Sequence, residues 1–312
     1  MKKIALLIVV ALVAIVGIGV SMTSVTFSME AAGKKSKDIQ NTDLSIVSRD
    51  IKIRDFSVLD VAGNMTVVYT CGSKAAMTVS GPKYFLDNMV VEIKGNTMKI
   101  GYTEEFYKRN SNRAFSWKDL FDGDSKKKGV RVTLSSPSLN KVSASLSAKF
   151  TTDILNSNDR IELYASTSAD IKAGSVTARS LKATASTSGD VKIGSVDASS
   201  SATLDAQTSG DVKIGSLTTD ILGADASTSG DVKIKELTAD KVTACASTSG
   251  DVELAGTADT VTFSASTSGD IKAGALTARN ATVSASTSGD VKYCARNTVN
   301  KTKGGIHNTY ND

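Results

Sequence analysis

The sequence predicts an all-β fold, a parallel β-helix in which about twenty residues write each turn of a solenoid. Three observations predict it. The phrase ASTSGDVKIG begins at Ala185, and close copies begin at Ala226, Ala246, Ala265 and Ala285. The aspartates that mark the phrase, Asp170, Asp190, Asp211, Asp231, Asp251, Asp270 and Asp290, recur at intervals of 20, 21, 20, 20, 19 and 20 residues. Around each marker apolar and polar residues alternate, the period of a strand with one buried face. Composition agrees: of 312 residues 40% are apolar, 5% are aromatic and only Pro82 and Pro137 are proline.

The chain opens with Lys2 and Lys3 and an unbroken apolar run from Ile4 to Val20. A charged start followed by an apolar run has the form of an export signal. The run is long enough to stay as a membrane anchor, so residues 1–33 read as a signal peptide or an N-terminal anchor helix. No cysteine follows the run to carry a lipid. Residues 34–49 are polar and read as a spacer, residues 50–302 as the β-helix and residues 303–312 as a polar tail.

Within residues 50–142 the phrase is absent, but strands are legible. FSVLDVAGNMTVVYTCG holds two apolar-rich runs around Ala62-Gly63-Asn64. VVEIKGNTMKIGY reads as a hairpin turning at Gly95-Asn96. GVRVTLSS alternates strictly before Pro137, and KYFLDNM suits one helical turn. Thr103 to Lys128 is an irregular insert, in or beside which lie Tyr102, Phe106, Tyr107, Phe115, Trp117 and Phe121. It either covers the open apolar end of the solenoid or meets a partner, as aromatic loops on rigid scaffolds do. Phe106, Tyr107, Phe115, Trp117 and Phe121, with the run Lys126-Lys127-Lys128, are the candidate partner contacts.

In the repeats, Ala165, Ala185, Ala206, Ala226, Ala246, Ala265 and Ala285 stand five residues before the markers. Coiling stacks them into one column and makes the interior narrow there. Apolar residues nine and seven before the marker complete one strand, and those one and three after it form a second. TSGD is the corner between them, with glycine expected to take the backbone angles other residues resist. Its threonines, Thr167 to Thr287, form a ladder suited to side-chain hydrogen bonds. Cys245 falls in the polar row six before the marker and should face outward.

Stacking also makes a column of the seven aspartates beside Lys172, Lys192, Lys213, Lys233, Lys272 and Lys292, a row in which Glu253 is the exception. Both columns read as structural ladders. A calcium ladder would need the nonapeptide G-G-x-G-x-D pattern, which is absent, and carboxylates without lysines beside them. Cys71, Cys245 and Cys294 make no disulfide framework, and His307 is the only histidine, so no metal or other cofactor is expected. Net charge is +5 and spread along the chain. The repeats lack the basic patches with interleaved aromatics that nucleic-acid binding requires.

The order of VLDVAGNMTVVYTCG, VVEIKGNTMKIGY, VRVTLSSPSLNKVSASLSA and repeated STSGDV resembles the auto-transporter adhesin family with the head GIN domain, over residues 50–295. The resemblance implies a right-handed parallel β-helix and a bacterial envelope protein. In that family the corner reads Ser-Gly-Ser-Gly-Asp, and here Thr187 and its equivalents replace the first glycine. No catalytic residue carries over. The carboxylates form a uniform column, where a lyase or hydrolase needs a few unlike residues in a cleft. The reading is therefore a non-enzymatic, exported envelope or surface protein, adhesin-like, with envelope glycans or surface proteins as partners and a membrane contact through its N-terminal segment. A self-assembling scaffold, and then a polysaccharide-acting enzyme, are the alternatives.

Overall fold

The computed structural model describes residues 43–111, 129–300 and 305–310. The expected signal or anchor segment, most of the spacer, and Phe115, Trp117, Phe121, Lys126, Lys127 and Lys128 lie outside those residues. Among the described residues no helix is long and apolar enough to cross a membrane.

The chain is a β-solenoid of about eight turns. Its N-terminal part contains β1 (Ile46–Ile51), β2 (Val58–Ala62), β3 (Met65–Cys71), β4 (Ala76–Pro82), α1 (Lys83–Asp87), β5 (Met89–Lys94), β6 (Thr97–Tyr102) and α2 (Glu104–Ser111). β7 (Val130–Ser136), β8 (Lys141–Ser145), β9 (Lys149–Asn156) and β10 (Arg160–Ala165) lead into the repeats. The repeats are β11 (Asp170–Ala185), β12 (Asp190–Gln207), β13 (Asp211–Ser227), β14 (Val232–Ser247), β15 (Val252–Ala265), β16 (Ile271–Ala285) and β17 (Val291–Asn300), closed by β18 (Ile306–Asn308).

From β11 to β17 each strand pairs in parallel with the next, and aligned residues are mostly alike: Asp170 faces Asp190, Lys172 faces Lys192 and Ala185 faces Ala206. Each coil turns inward three times. In β12 the inward runs are Val191 and Ile193, then Val196 and Ala198, then Ala202, Leu204 and Ala206. Consecutive outward residues at Gly194-Ser195, and again from Ser199 to Ser201, break the alternation and let the strand bend. The first and third runs are those expected from sequence. The middle one, with Val176, Val196, Leu217, Leu237 and Leu276 buried, was missed. The alanine column is buried throughout, as expected.

The corner departs from expectation. Thr167, Thr187, Thr208, Thr228, Thr248, Thr267 and Thr287 have φ of 48° to 53°, and the serines after them 60° to 62°. These residues, not the glycines, carry the left-handed backbone, which costs an L-residue roughly 1–2 kcal/mol. From Gly189 onward glycine leaves room at this place: a Cβ on Gly230 would stand 2.7 Å from the backbone of Ala206 in the coil below. Ala148 and Ala169 hold the same place in the two earliest corners. The ladder along the corner is also main-chain rather than side-chain. The Ser188 N–H donates to the Thr208 carbonyl, and the Ser209 N–H to that of Thr228, each at 3.0 Å.

Spatial order departs from chain order at the N-terminal end. β2 lies between β6 and β8, and β3 between β7 and β9. The coil written second in the chain is thus added outside the first, and β8–β9 returns to its other side. β4 and β5 then pair antiparallel with β7 and β6, the latter through the hairpin turning at Gly95-Asn96 as expected. β1 adds antiparallel to β4, so the domain begins inside the stretch read as spacer. Apolar Val47 and Ile51 pack on the core, which draws it in. The expected tail likewise supplies β18, whose residues extend the parallel ladder on Val291–Tyr293.

The alanine column generates a test. Ala226 is 2% exposed between the alanines of two neighbouring coils. Ala226→Leu is expected to lower unfolding free energy by roughly 1–3 kcal/mol through overpacking, whereas Ser227→Leu, facing outward one residue on, should change it far less. Denaturant titration of the two variants checks this.

Candidate functional site

The aspartate column is held by the backbone. Oδ1 of Asp211 accepts the N–H of Asp231 at 3.2 Å, and the pattern repeats from Asp231 to Asp251, Asp251 to Asp270 and Asp270 to Asp290. In the three earlier coils the same N–H goes to a carbonyl instead, Asp170 to Ala148, Asp190 to Ala169 and Asp211 to Gly189. The second oxygen meets lysine. Lys192 and Lys213 reach back to Asp190 and Asp211 at 2.6 Å, and Lys272 reaches across to Asp251 at 2.5 Å. Lys149 sits 3.6 Å from Asp170, and Lys233 pairs with Glu253 at 2.5 Å. Lys172 and Lys292 have no ion pair among the described residues. The hydrogen bond to Asp211 holds the Lys213 ammonium above its ordinary pKa against the effect of burial, and Asp251 does the same for Lys272. The carboxylates from Asp170 to Asp270 are thus already engaged. Among the described residues no three His, Cys, Asp or Glu side chains converge as a metal-binding group.

The insert begins as helix α2, not as irregular chain. Thr103 Oγ1 accepts the Phe106 N–H at 3.2 Å, the bond of an N-cap, and Glu104 and Glu105 sit favourably in the first turn. This aims Phe106 inward. It is 2% exposed and stacks on Tyr102 with ring centroids 4.5 Å apart, while Tyr84 and Phe85 crowd its other sides. Tyr107 is half-buried and donates to the Ala62 carbonyl at 3.3 Å. Phe106 and Tyr107 therefore seal the N-terminal end of the core. The expected role of Phe106 as a partner contact is corrected: the capped first turn of α2 turns its ring onto Tyr102, Tyr84 and Phe85.

Cys245 is exposed and unpaired, as its row implies. Partial burial and then the Asp225 carboxylate push its thiol pKa up, so the reactive thiolate is disfavoured.

The repeat face is not uniform along the rod. A groove of about 630 Å³ runs across β3, β9, β11, β12, β13 and β14. Its floor includes Gly174, Gly194 and Gly215, four residues after their markers. A Cβ on Gly194 would lie 2.5 Å from the Gly174 carbonyl oxygen, and one on Gly215 closer still to that of Gly194. The absent side chains leave a trough beside the lysine row. Lys172, Lys192, Lys213, Lys233 and Lys235 line it, with Asp153 as the one carboxylate. The sequence signal was the recurring Lys-x-Gly, hidden because every copy looked structural.

Residues 55–236 and 195–306 match the family described as "Putative auto-transporter adhesin, head GIN domain". Solved structures share the fold. A "putative adhesin" from Parabacteroides merdae has 15% identity and a TM-score of 0.53, over 84% of this chain and 93% of that one. Another from Parabacteroides distasonis has 16% identity and a TM-score of 0.53, over 86% and 98%. No protein of curated function matches the chain.

Two substitutions test this geometry. Asp231→Ala is expected to cost about 1–3 kcal/mol by orphaning the Asp251 N–H, while Asp231→Asn, which keeps an oxygen acceptor, should cost less. Equal losses in thermal unfolding would contradict the ladder. Phe106→Ala should cost roughly 3–5 kcal/mol as a large cavity opens at the coil end. Hydrogen exchange should then rise first in β5 and β6.

Proposed function

We propose that this chain, which belongs to the auto-transporter adhesin family with the head GIN domain, is an exported, non-enzymatic binding module of the bacterial cell envelope. Its N-terminal segment delivers it there as a signal or holds it as an anchor, and the right-handed coil is the rigid rod that presents the binding surface. One observation carries the reading. From Asp170 to Asp270 each ladder carboxylate that could serve as general acid or base is bound to a backbone N–H or to a lysine. Glycoside chemistry needs two carboxyls in unlike surroundings. Because Phe106 and Tyr107 pack on the coil end, this reading puts the contact along the side of the rod.

A second reading, end-to-end assembly, draws on the last coil. β18 covers only Val291–Tyr293 of β17, and Val299 beyond it is 62% exposed. Against it, the Asn308 amide bonds both the N–H and the carbonyl of Ala295 and blocks that edge. Light scattering of the purified chain is expected to give a monomer at all concentrations.

The test is retention without turnover. Purified protein applied to a glycan array and to envelope fragments is expected to be retained and to release no new reducing ends or unsaturated products. Products that accumulate with time would make it an enzyme, and absence of retention on every surface would remove the adhesin reading.

A further inference from the structure

We propose that the lysine-lined groove binds a linear acidic polysaccharide that carries one negative charge per sugar, laid along the solenoid axis. The proposal rests on the adhesin-like reading and names its ligand. The groove spans six strands of one face, roughly 24 Å at the strand spacing. Its cations are not scattered. Lys172, Lys192, Lys213 and Lys233 align in register, one per coil, so their bases repeat at about 4.8 Å. A pyranose ring advances a chain by about one strand spacing, so a polymer with a carboxylate on every ring matches the lysine row in charge per unit length. Lys192 and Lys213 each spend one donor on their own aspartate, and an ammonium has three. Lys172 and Lys235 have no ion pair among the described residues.

The groove also has an end. The glycine row stops at Gly215, with Lys235 in that place one coil on, and at the following coil Glu253 replaces the lysine and binds Lys233. The floor is open only where glycine is forced by the carbonyl of the coil below. Thr70 and Thr151 line the same trough, a polar border suited to sugar hydroxyls. A single-stranded nucleic acid fits less well, because its bases need stacking faces and the one aromatic lining residue, Tyr69, is 2% exposed.

The experiment measures binding of defined polygalacturonate oligomers and of their neutral methyl esters by calorimetry, on the full chain. The acidic oligomers should bind, affinity should fall as salt rises, and the esters should bind at least tenfold more weakly. The triple variant Lys172→Gln, Lys192→Gln and Lys213→Gln should lose tenfold or more. A control with the same charge removed elsewhere, Arg179→Gln, Lys241→Gln and Arg279→Gln, should lose little. Glu253→Lys should tighten binding and favour an oligomer one sugar longer. Melting curves report whether each variant folds, and the ester comparison needs no variant at all. Equal binding of acid and ester, equal loss in both triple variants, or preference for oligothymidylate would overturn the proposal. If the chain is retained on envelope fragments yet ignores acidic oligomers, the groove assignment fails and the adhesin-like reading stands. If it is retained on nothing, both fail.

Discussion

Parallel strands in register force each residue to lie against its counterpart in the next coil, one strand spacing away. Everything else in this structure answers to that constraint. Apolar columns profit from it, since Ala206, Ala226 and Ala246 close a narrow interior without gaps. Charged columns are penalised by it. The aspartates are tolerated because the corner leaves an N–H without a strand partner in the later coils, and the carboxylate above or below supplies the acceptor. The lysines then neutralise the second oxygen, some within a coil and some between coils. Such exposed pairs contribute only ~0–1 kcal/mol each, so from Asp211 to Asp270 the N–H contact explains the column better than the ion pairs do.

A solenoid solves its interior by repetition but has two ends where repetition stops. The N-terminal end is covered by antiparallel strands and by an aromatic cluster from α1, β6 and α2, in which Tyr84, Phe85, Tyr102 and Phe106 contact one another. The C-terminal end is finished by substitutes for a further coil. Gly305 gives its carbonyl to the Val291 N–H in place of the next aspartate, and the Asn308 side chain acts as a strand for Ala295. These devices satisfy edge groups that would otherwise template pairing with another chain.

The groove follows from the same geometry. Where a coil bends after its first inward run, the chain comes so close to the carbonyl below that only glycine fits. Three such coils in succession leave a trough, and the lysine row beside it is the ladder that neutralises the aspartates. A stabilising pattern thus creates a charged, concave surface along the rod as a by-product, available to a ligand with the same repeat.

The sequence by itself determined the coil. Period and alternation were enough to place the alanine column, two of the three inward runs and the outward Cys245, because each depends on neighbours one coil away that the repeat itself supplies. The middle run around Val196 was equally present in the sequence but was hidden by its break in period at Gly194-Ser195. What only the tertiary structure decided lies where repetition fails. The placing of β2–β3 between two later coils, and the recruitment of β1 and β18 from apparent spacer and tail, are contacts between dissimilar segments that no local pattern encodes. The role of the corner glycines was likewise invisible, since conformational freedom and lack of room both select glycine, and only the distance to the coil below distinguishes them. Phe106 and the lysine groove share that reason: one is turned inward and the other hollowed out by the backbone of a neighbouring coil.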